Sequence, residues 1–142
     1  MTSPGPPRHR FRLDVRFGDL DSAGIVYYPR YLHFCHVGME EYFRHVVGID
    51  YPAFLDEHRL GLPAVRTEVD HRRPIRYRDQ VDLEVVVERV GSTSVEWHHR
   101  FWHRDIAEPS TEARIVTVLV DMASFEKRPV PGWLRARLAP RG

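Results

Sequence analysis

From residue 9 to residue 17 hydrophobic and polar positions alternate without a fault. Phe11, Leu13, Val15 and Phe17 fall on one side, and Arg10, Arg12, Asp14 and Arg16 on the other. That period of two predicts a half-buried strand. The period then lengthens. Apolar residues recur at Tyr31/Leu32, Cys35, Met39, Tyr42/Phe43 and Val46/Val47, the spacing of an amphipathic helix of about five turns. Pro29 suits its first turn and Gly48 its stop. A second, short helix is expected over residues 51–58, with Pro52 near its start and Gly61 and Pro63 beyond its end.

After that the chain returns to period two. Over residues 64–72, Val65, Thr67 and Val69 alternate with Arg66, Glu68 and Asp70. Pro74 then makes this an edge strand or marks a bulge. Val81, Leu83, Val85 and Val87 alternate with Asp82, Glu84 and Glu88, and past the turn at Gly91-Ser92, Val95, Trp97 and Phe101 share a face. Residues 113–120, nearly continuous in apolar side chains, are expected to be the central strand, and residues 131–138 a last helical turn. One strand, one long helix and four further strands make an α+β chain with an antiparallel sheet of about five strands. Residues 1–8, rich in Pro, Gly and Ser, read as a disordered tail, and residues 9–142 as a single domain.

Composition narrows the function. A formal net charge of +1 gives no electrostatic case for nucleic acid or a membrane surface as a partner. All basic residues but Lys127 are Arg, which suits phosphate recognition but reads first as base composition. Cys35 is the only cysteine, so no intrachain disulfide and no cysteine metal site is expected. The N-terminus lacks the apolar stretch of a signal peptide, and no run approaches the ~18 apolar residues of a membrane span. A cytoplasmic enzyme or binding module fits.

The chemistry concentrates in the loop that opens the long helix, Phe17-Gly-Asp-Leu-Asp-Ser-Ala-Gly-Ile-Val-Tyr-Tyr-Pro-Arg-Tyr31. Two carboxylates, Asp19 and Asp21, sit among the turn formers Gly18, Ser22 and Gly24. Asp and Ser in such a loop are commonly caps and turn formers. The helix start that follows is electropositive and carries unpaired backbone N–H groups, so it can hold an oxyanion. A carboxylate beside oxyanion donors is a minimal kit for hydrolysing an ester-like bond.

This loop resembles the signature of the 4-hydroxybenzoyl-CoA thioesterase family of the hotdog fold. The pattern is Asp19, Asp21 and Gly24, then the run Ile25, Val26, Tyr27, Tyr28 leading to Tyr31. Residues 63–79, with Pro74 and Asp79, are similar to that family's second strand. The resemblance implies an antiparallel sheet wrapped around one helix and hydrolysis of an acyl-CoA thioester to an acid and free CoA. It assigns the key carboxylate to Asp21, as general base or as nucleophile, and an oxyanion N–H to Tyr28 or to residues 24–27. Asp19 is expected to stabilise the loop. Gly24, Ile25, His36, Arg66, Ser92 and Thr93 are the expected substrate-binding residues, and no cofactor is expected beyond the CoA carried by the substrate. The resemblance also implies a homodimer or homotetramer with its site at the subunit interface, so that Arg66 and the turn of residues 91–94 face the Asp21 of a neighbouring chain. Members specific for hydroxybenzoyl groups carry an acidic residue at the position eight after Tyr28. Here it is His36, which counts against strict 4-hydroxybenzoyl specificity and leaves benzoyl-type or medium-chain groups.

Other constellations carry less. His33 and His36 lie three apart on the helix, and His98, His99 and His103 share a strand on which His98 and His99 point to opposite sides. No HExxH or Cys/His pattern accompanies them, so no metal site is expected. There is no G-x-S-x-G sequence. The basic run of residues 71–78 reads as a solvated face or as a phosphate contact, and Glu40 and Glu41 as a solvated pair. Two rival functions remain on the same fold. An acyl dehydratase needs a histidine in the loop, where none lies between His9 and His33. A non-catalytic acyl-CoA-binding regulator has no use for the carboxylate.

Overall fold

The structure, a computed structural model, describes residues 8–138. The expected tail lies outside the described residues apart from Arg8, which opens the first strand. Five strands form one antiparallel sheet in the order β1 (Arg8–Leu13), β4 (Val81–Val90), β5 (Ser94–His103), β6 (Thr111–Val118), β3 (Ala64–His71). A two-residue pair, β2 (Leu60–Gly61) with β7 (Val120–Asp121), closes one end of the domain. The long helix lies against the inner face as α1 (Arg30–Tyr42), continued by a π-helical turn (Phe43–Val47), with α2 (Tyr51–Asp56) and α3 (Gly132–Leu138) beside it. The α+β hotdog arrangement expected from the sequence is the one observed.

Alternation sorts the sheet as the sequence requires. Val81, Leu83, Val85 and Val87 of β4, with Val95, Trp97, His99 and Phe101 of β5, are buried under the helix. On the opposite face Glu84 meets Arg8 at 3.2 Å and Arg100 at 3.6 Å, while His98 lies between Glu88 at 2.8 Å and Glu112 at 3.1 Å. Glu84 and His98 are almost fully buried, so these polar contacts replace the water each would otherwise keep.

Two expectations about the strands need correction. The first strand ends at Leu13, and Phe17 opens a 3₁₀ turn with its ring 78% exposed. Alternation alone cannot show that the backbone has left the sheet. The central strand is β5, and residues 113–120 divide into the penultimate strand β6 and the short β7. The apolar run was misleading because Val120 serves the small sheet with β2, where no run of alternation was available to mark either strand. β3 is an edge strand, the first of the two alternatives for Pro74, and its bulge falls between Ala64 and Arg66.

The helix follows its predicted extent. Pro29 takes φ −67° before the first turn, and Gly48 ends the π-turn at φ +84°, where a side chain would be strained. Its buried face holds Tyr31, Cys35, Met39, Tyr42, Phe43 and Val47 as expected, together with Phe34 and Gly38. Leu32 instead lies 44% exposed. No helix of the described residues is long and apolar enough to cross a membrane.

Candidate active site

The loop before the helix is a small hairpin. Leu20 and Val26 bridge, the Asp21 N–H donates to the Ile25 carbonyl at 2.8 Å, and Gly24 turns the chain at φ +79° while its N–H reaches the Asp21 carbonyl at 3.0 Å. A positive φ at this point is open to glycine without a Cβ penalty. The hairpin is pinned to the chain beyond β3 by the Val26 N–H, which donates to the Ile75 carbonyl at 2.8 Å.

The two carboxylates take different places in it. Asp19 is buried; it accepts the Arg16 N–H at 2.8 Å and lies 3.5 Å from Arg30 Nε, while its carbonyl accepts the Tyr27 N–H at 2.9 Å. It therefore clamps the end of the 3₁₀ turn to the start of the helix. Asp21 is half-buried, and a single hydrogen bond orients it, from the Ala23 N–H to Oδ1 at 2.8 Å. Its other oxygen has no donor among the described residues, so it is free to take a proton or a carbonyl carbon.

The hydrogen bonds of the loop also narrow the choice of oxyanion donor. The N–H groups of Gly24, Val26 and Tyr27 are engaged within the loop or with Ile75. Pro29 has none. Among the described residues Tyr28 and Ile25 keep N–H groups without a protein partner, and Tyr28 immediately precedes the helix turn in which the Tyr31 N–H meets its carbonyl. Tyr28 is itself 72% exposed. Ile25, Tyr28 and Tyr31 line a hollow of about 370 Å³ with His71, Arg72 and Arg73 on its other wall.

A larger, mostly apolar cavity of about 440 Å³ runs along the helix on the β3 side. Leu32, His36 and Met39 form one wall and Trp97, His99 and Thr117 the floor, with Tyr51 and Phe125 also on the lining. His36 thus faces this cavity, with its Nε2 3.0 Å from Glu40 and its ring edge-on to Tyr51. His99 is the polar group that sequence reasoning left unused. Its Nδ1 is buried with no hydrogen-bond partner. Burial, and secondarily the neighbouring His98, pushes the His99 imidazole down to about 3, so it is neutral at any working pH. The signal was available: a histidine in the inward register of Val95, Trp97 and Phe101.

Arg66, Ser92 and Thr93 do not join these groups within one chain. Arg66 lies on β3 in an ion pair with Glu68. The turn of Ser92 and Thr93 is at the other end of the sheet from Asp21, its carbonyls accepting the Val130 and Leu119 N–H groups at 2.8 and 2.7 Å.

The sequence model of the thioesterase-like superfamily matches residues 15–138. The 1,4-dihydroxy-2-naphthoyl-CoA hydrolase of Synechococcus sp. (strain WH7803) is 32% identical over 144 aligned positions, which cover 89% of this chain and 88% of its own. A 1,4-dihydroxy-2-naphthoyl-CoA thioesterase from Synechocystis superposes with a TM-score of 0.83 at 17% identity, over 93% of this chain and 96% of its own. A thioesterase from Thermus thermophilus, solved with coenzyme A and Zn, superposes with a TM-score of 0.75 at 29% identity, over 91% of this chain and 90% of its own. The match is broader than the 4-hydroxybenzoyl-CoA thioesterase branch that the loop resembles. With a hotdog sheet around one helix and an oriented carboxylate at that helix's start, the chain belongs to the thioesterase-like superfamily and is a hydrolase of thioesters.

Proposed function

We propose that the protein hydrolyses an aromatic acyl-CoA thioester, with Asp21 as the catalytic carboxylate. The observations that support this reading are a carboxylate oxygen of Asp21 with no donor and an N–H of Tyr28 with no protein partner, both in the loop that leads into the helix. In one route Asp21 takes a proton from water as the water oxygen attacks the thioester carbonyl. The Tyr28 N–H holds the oxyanion, and collapse expels CoA thiolate, which takes up the proton. In the other, Asp21 itself attacks the thioester carbonyl, the tetrahedral adduct expels CoA thiolate to leave a mixed anhydride, and water opens the anhydride to free the acid and restore Asp21. Both need only the side chains present, with CoA entering as part of the substrate and no further cofactor.

The acyl group is assigned to the cavity along the helix, whose volume and apolar walls suit a ring system. The naphthoyl-CoA activity named for its relatives supports an aromatic group of that size. A cytoplasmic location and no nucleic-acid partner accompany this reading. The direct test is thiol release from a panel of aromatic and aliphatic acyl-CoAs. Fastest turnover of fused-ring aromatic esters is the expected result, best turnover of medium-chain esters would reassign the cavity, and no CoA release from any ester would leave a binding protein.

His36 gives the pocket its test. An imidazole at the cavity wall offers one hydrogen bond and no fixed negative charge near neutral pH. His36→Ala is expected to alter relative kcat/KM among acyl groups more than it lowers the best of them. Uniform loss across all esters would place His36 in the structure or in the bond-breaking step.

The site is completed by a second copy of the chain. Asp21 does not line the acyl cavity of its own chain, and among the described residues β3 leaves one edge unpaired, with Val65 61% exposed. Pairing there would bring Arg66 and the turn of Ser92 and Thr93 toward a neighbour's loop. Sedimentation at micromolar concentration is expected to give a dimer or tetramer, and a fully active monomer would refute the shared site.

A further inference from the structure

A second histidine–carboxylate cluster stands about three helical turns, roughly 16 Å, beyond the helix start. His9 projects from β1, and Glu41 and His45 lie four residues apart where α1 passes into the π-helical turn. His45 Nε2 is 3.1 Å and His9 Nε2 3.7 Å from the same oxygen, Oε2 of Glu41, and the three ligand atoms fall within 4.8 Å of one another. A tetrahedral ion with bonds of about 2.0–2.1 Å holds its ligands about 3.4 Å apart. The two measured separations lie on either side of that value.

Two further features single the cluster out. His9 Nε2 is buried and makes no hydrogen bond among the described residues, so this nitrogen has lost its water without gaining a partner there. The rings of His9 and His45 lie face to face, with centroids 4.3 Å and planes 10° apart, and both offer Nε2 to one carboxylate. A π-turn changes the angle at which the following residues leave a helix and is frequent at functional positions; here it begins between Glu41 and His45. Arg44 reaches the other carboxylate oxygen, Oε1, at 3.7 Å and pairs with Asp50 at 3.1 Å, so Oε2 faces the two imidazoles.

We propose that His9, Glu41 and His45 form a site for a divalent transition metal, with zinc as the best match and water as the fourth ligand. Two imidazoles and one carboxylate are a zinc donor set, whereas magnesium and calcium require oxygen ligands throughout. Closing the site needs the two parallel rings to tilt toward one ion, and the half-exposed side chain of His45 has room to do so. The ion would fasten the edge strand β1, which pairs in the sheet only with β4, to the helix. Its effect is on stability, since the cluster shares no residue with the Asp21 loop or the acyl cavity. Sequence spacing did not show the site because His9 lies on a different element, far along the chain from Glu41.

The test uses the full chain, freed of any tag and stripped with a chelator, titrated with Zn²⁺ by calorimetry and with Co²⁺ by visible absorption. One ion per chain is expected, with a tetrahedral Co²⁺ spectrum and a melting temperature raised by Zn²⁺ but not by Mg²⁺. His45→Ala and His9→Ala should each weaken binding by more than about tenfold, with thioesterase turnover unchanged, while His33→Ala binds as the parent does. Absence of stoichiometric binding overturns the site. So does binding that survives both His9→Ala and His45→Ala, or that falls equally in His33→Ala.

Discussion

Asp21→Asn should leave a folded protein of unchanged assembly that has lost about 10²–10⁴ in kcat, the range for removing a positioned acid–base group. The amide oxygen of Asn still accepts the Ala23 N–H that orients Asp21, so the hairpin of residues 20–26 keeps its shape. What disappears is the anionic oxygen that has no protein donor, the one available to water or to the thioester carbon. Asp19→Asn is the informative partner. Its carboxylate holds the Arg16 N–H at 2.8 Å and faces Arg30 at 3.5 Å, so weakening it should show in thermal stability before it shows in kcat. The measurement is initial rate of CoA release for both variants alongside their melting curves. Near-normal turnover in Asp21→Asn with abolished turnover in a folded Asp19→Asn would move the catalytic role to Asp19.

Much of the loop and of the sheet was legible in the sequence alone. The Asp-x-Asp loop ahead of Pro29 announced a carboxylate at a helix start, and period-two alternation in residues 81–87 and 95–101 placed the sheet's inner face correctly. The failures have physical causes. Alternation continued through Val15 and Phe17 after the backbone had left the sheet, because Val15 is still buried in the core outside any strand while Phe17 opens an exposed turn. The small pair β2 with β7 is two residues long on each side, too short for any periodicity, and it drew Val120 away from β6. The sequence singled out His36 of the residues that line the cavity along the helix. Its floor of Trp97, His99 and Thr117 comes from two strands whose register no local pattern fixes. Phe34 and Gly38 were missed on the helix for a related reason. The apolar stripe is wider than the spacing of its largest residues, and a glycine carries no hydropathy signal at all.

Gly38 is where that omission has the largest consequence for stability. A Cβ at this position would stand 2.8 Å from Val85 Cγ2, 3.1 Å from Leu83 Cδ2 and 3.4 Å from His99 Nδ1. The helix therefore lies closer to β4 and β5 at Gly38 than any side chain would allow, which is how a short sheet can cover it. On an exposed helix, replacing Gly by Ala gains about 1 kcal/mol. Here that gain is opposed by overpacking, which costs about 1–3 kcal/mol in a tight core. Gly38→Ala is accordingly expected to melt no higher than the parent, and Gly38→Val, which carries two methyl groups beyond the Cβ, to lose about 2–3 kcal/mol, seen as a Tm roughly 5–10 °C lower. The origin of the loss can be isolated with a double-mutant cycle. Val85→Ala removes the nearest clashing methyl, so Gly38→Ala in that background should be less harmful than in the parent by at least ~0.5 kcal/mol. Additive effects of the two substitutions, or a Gly38→Val protein as stable as the parent, would mean that the helix stands further from the sheet than these distances give.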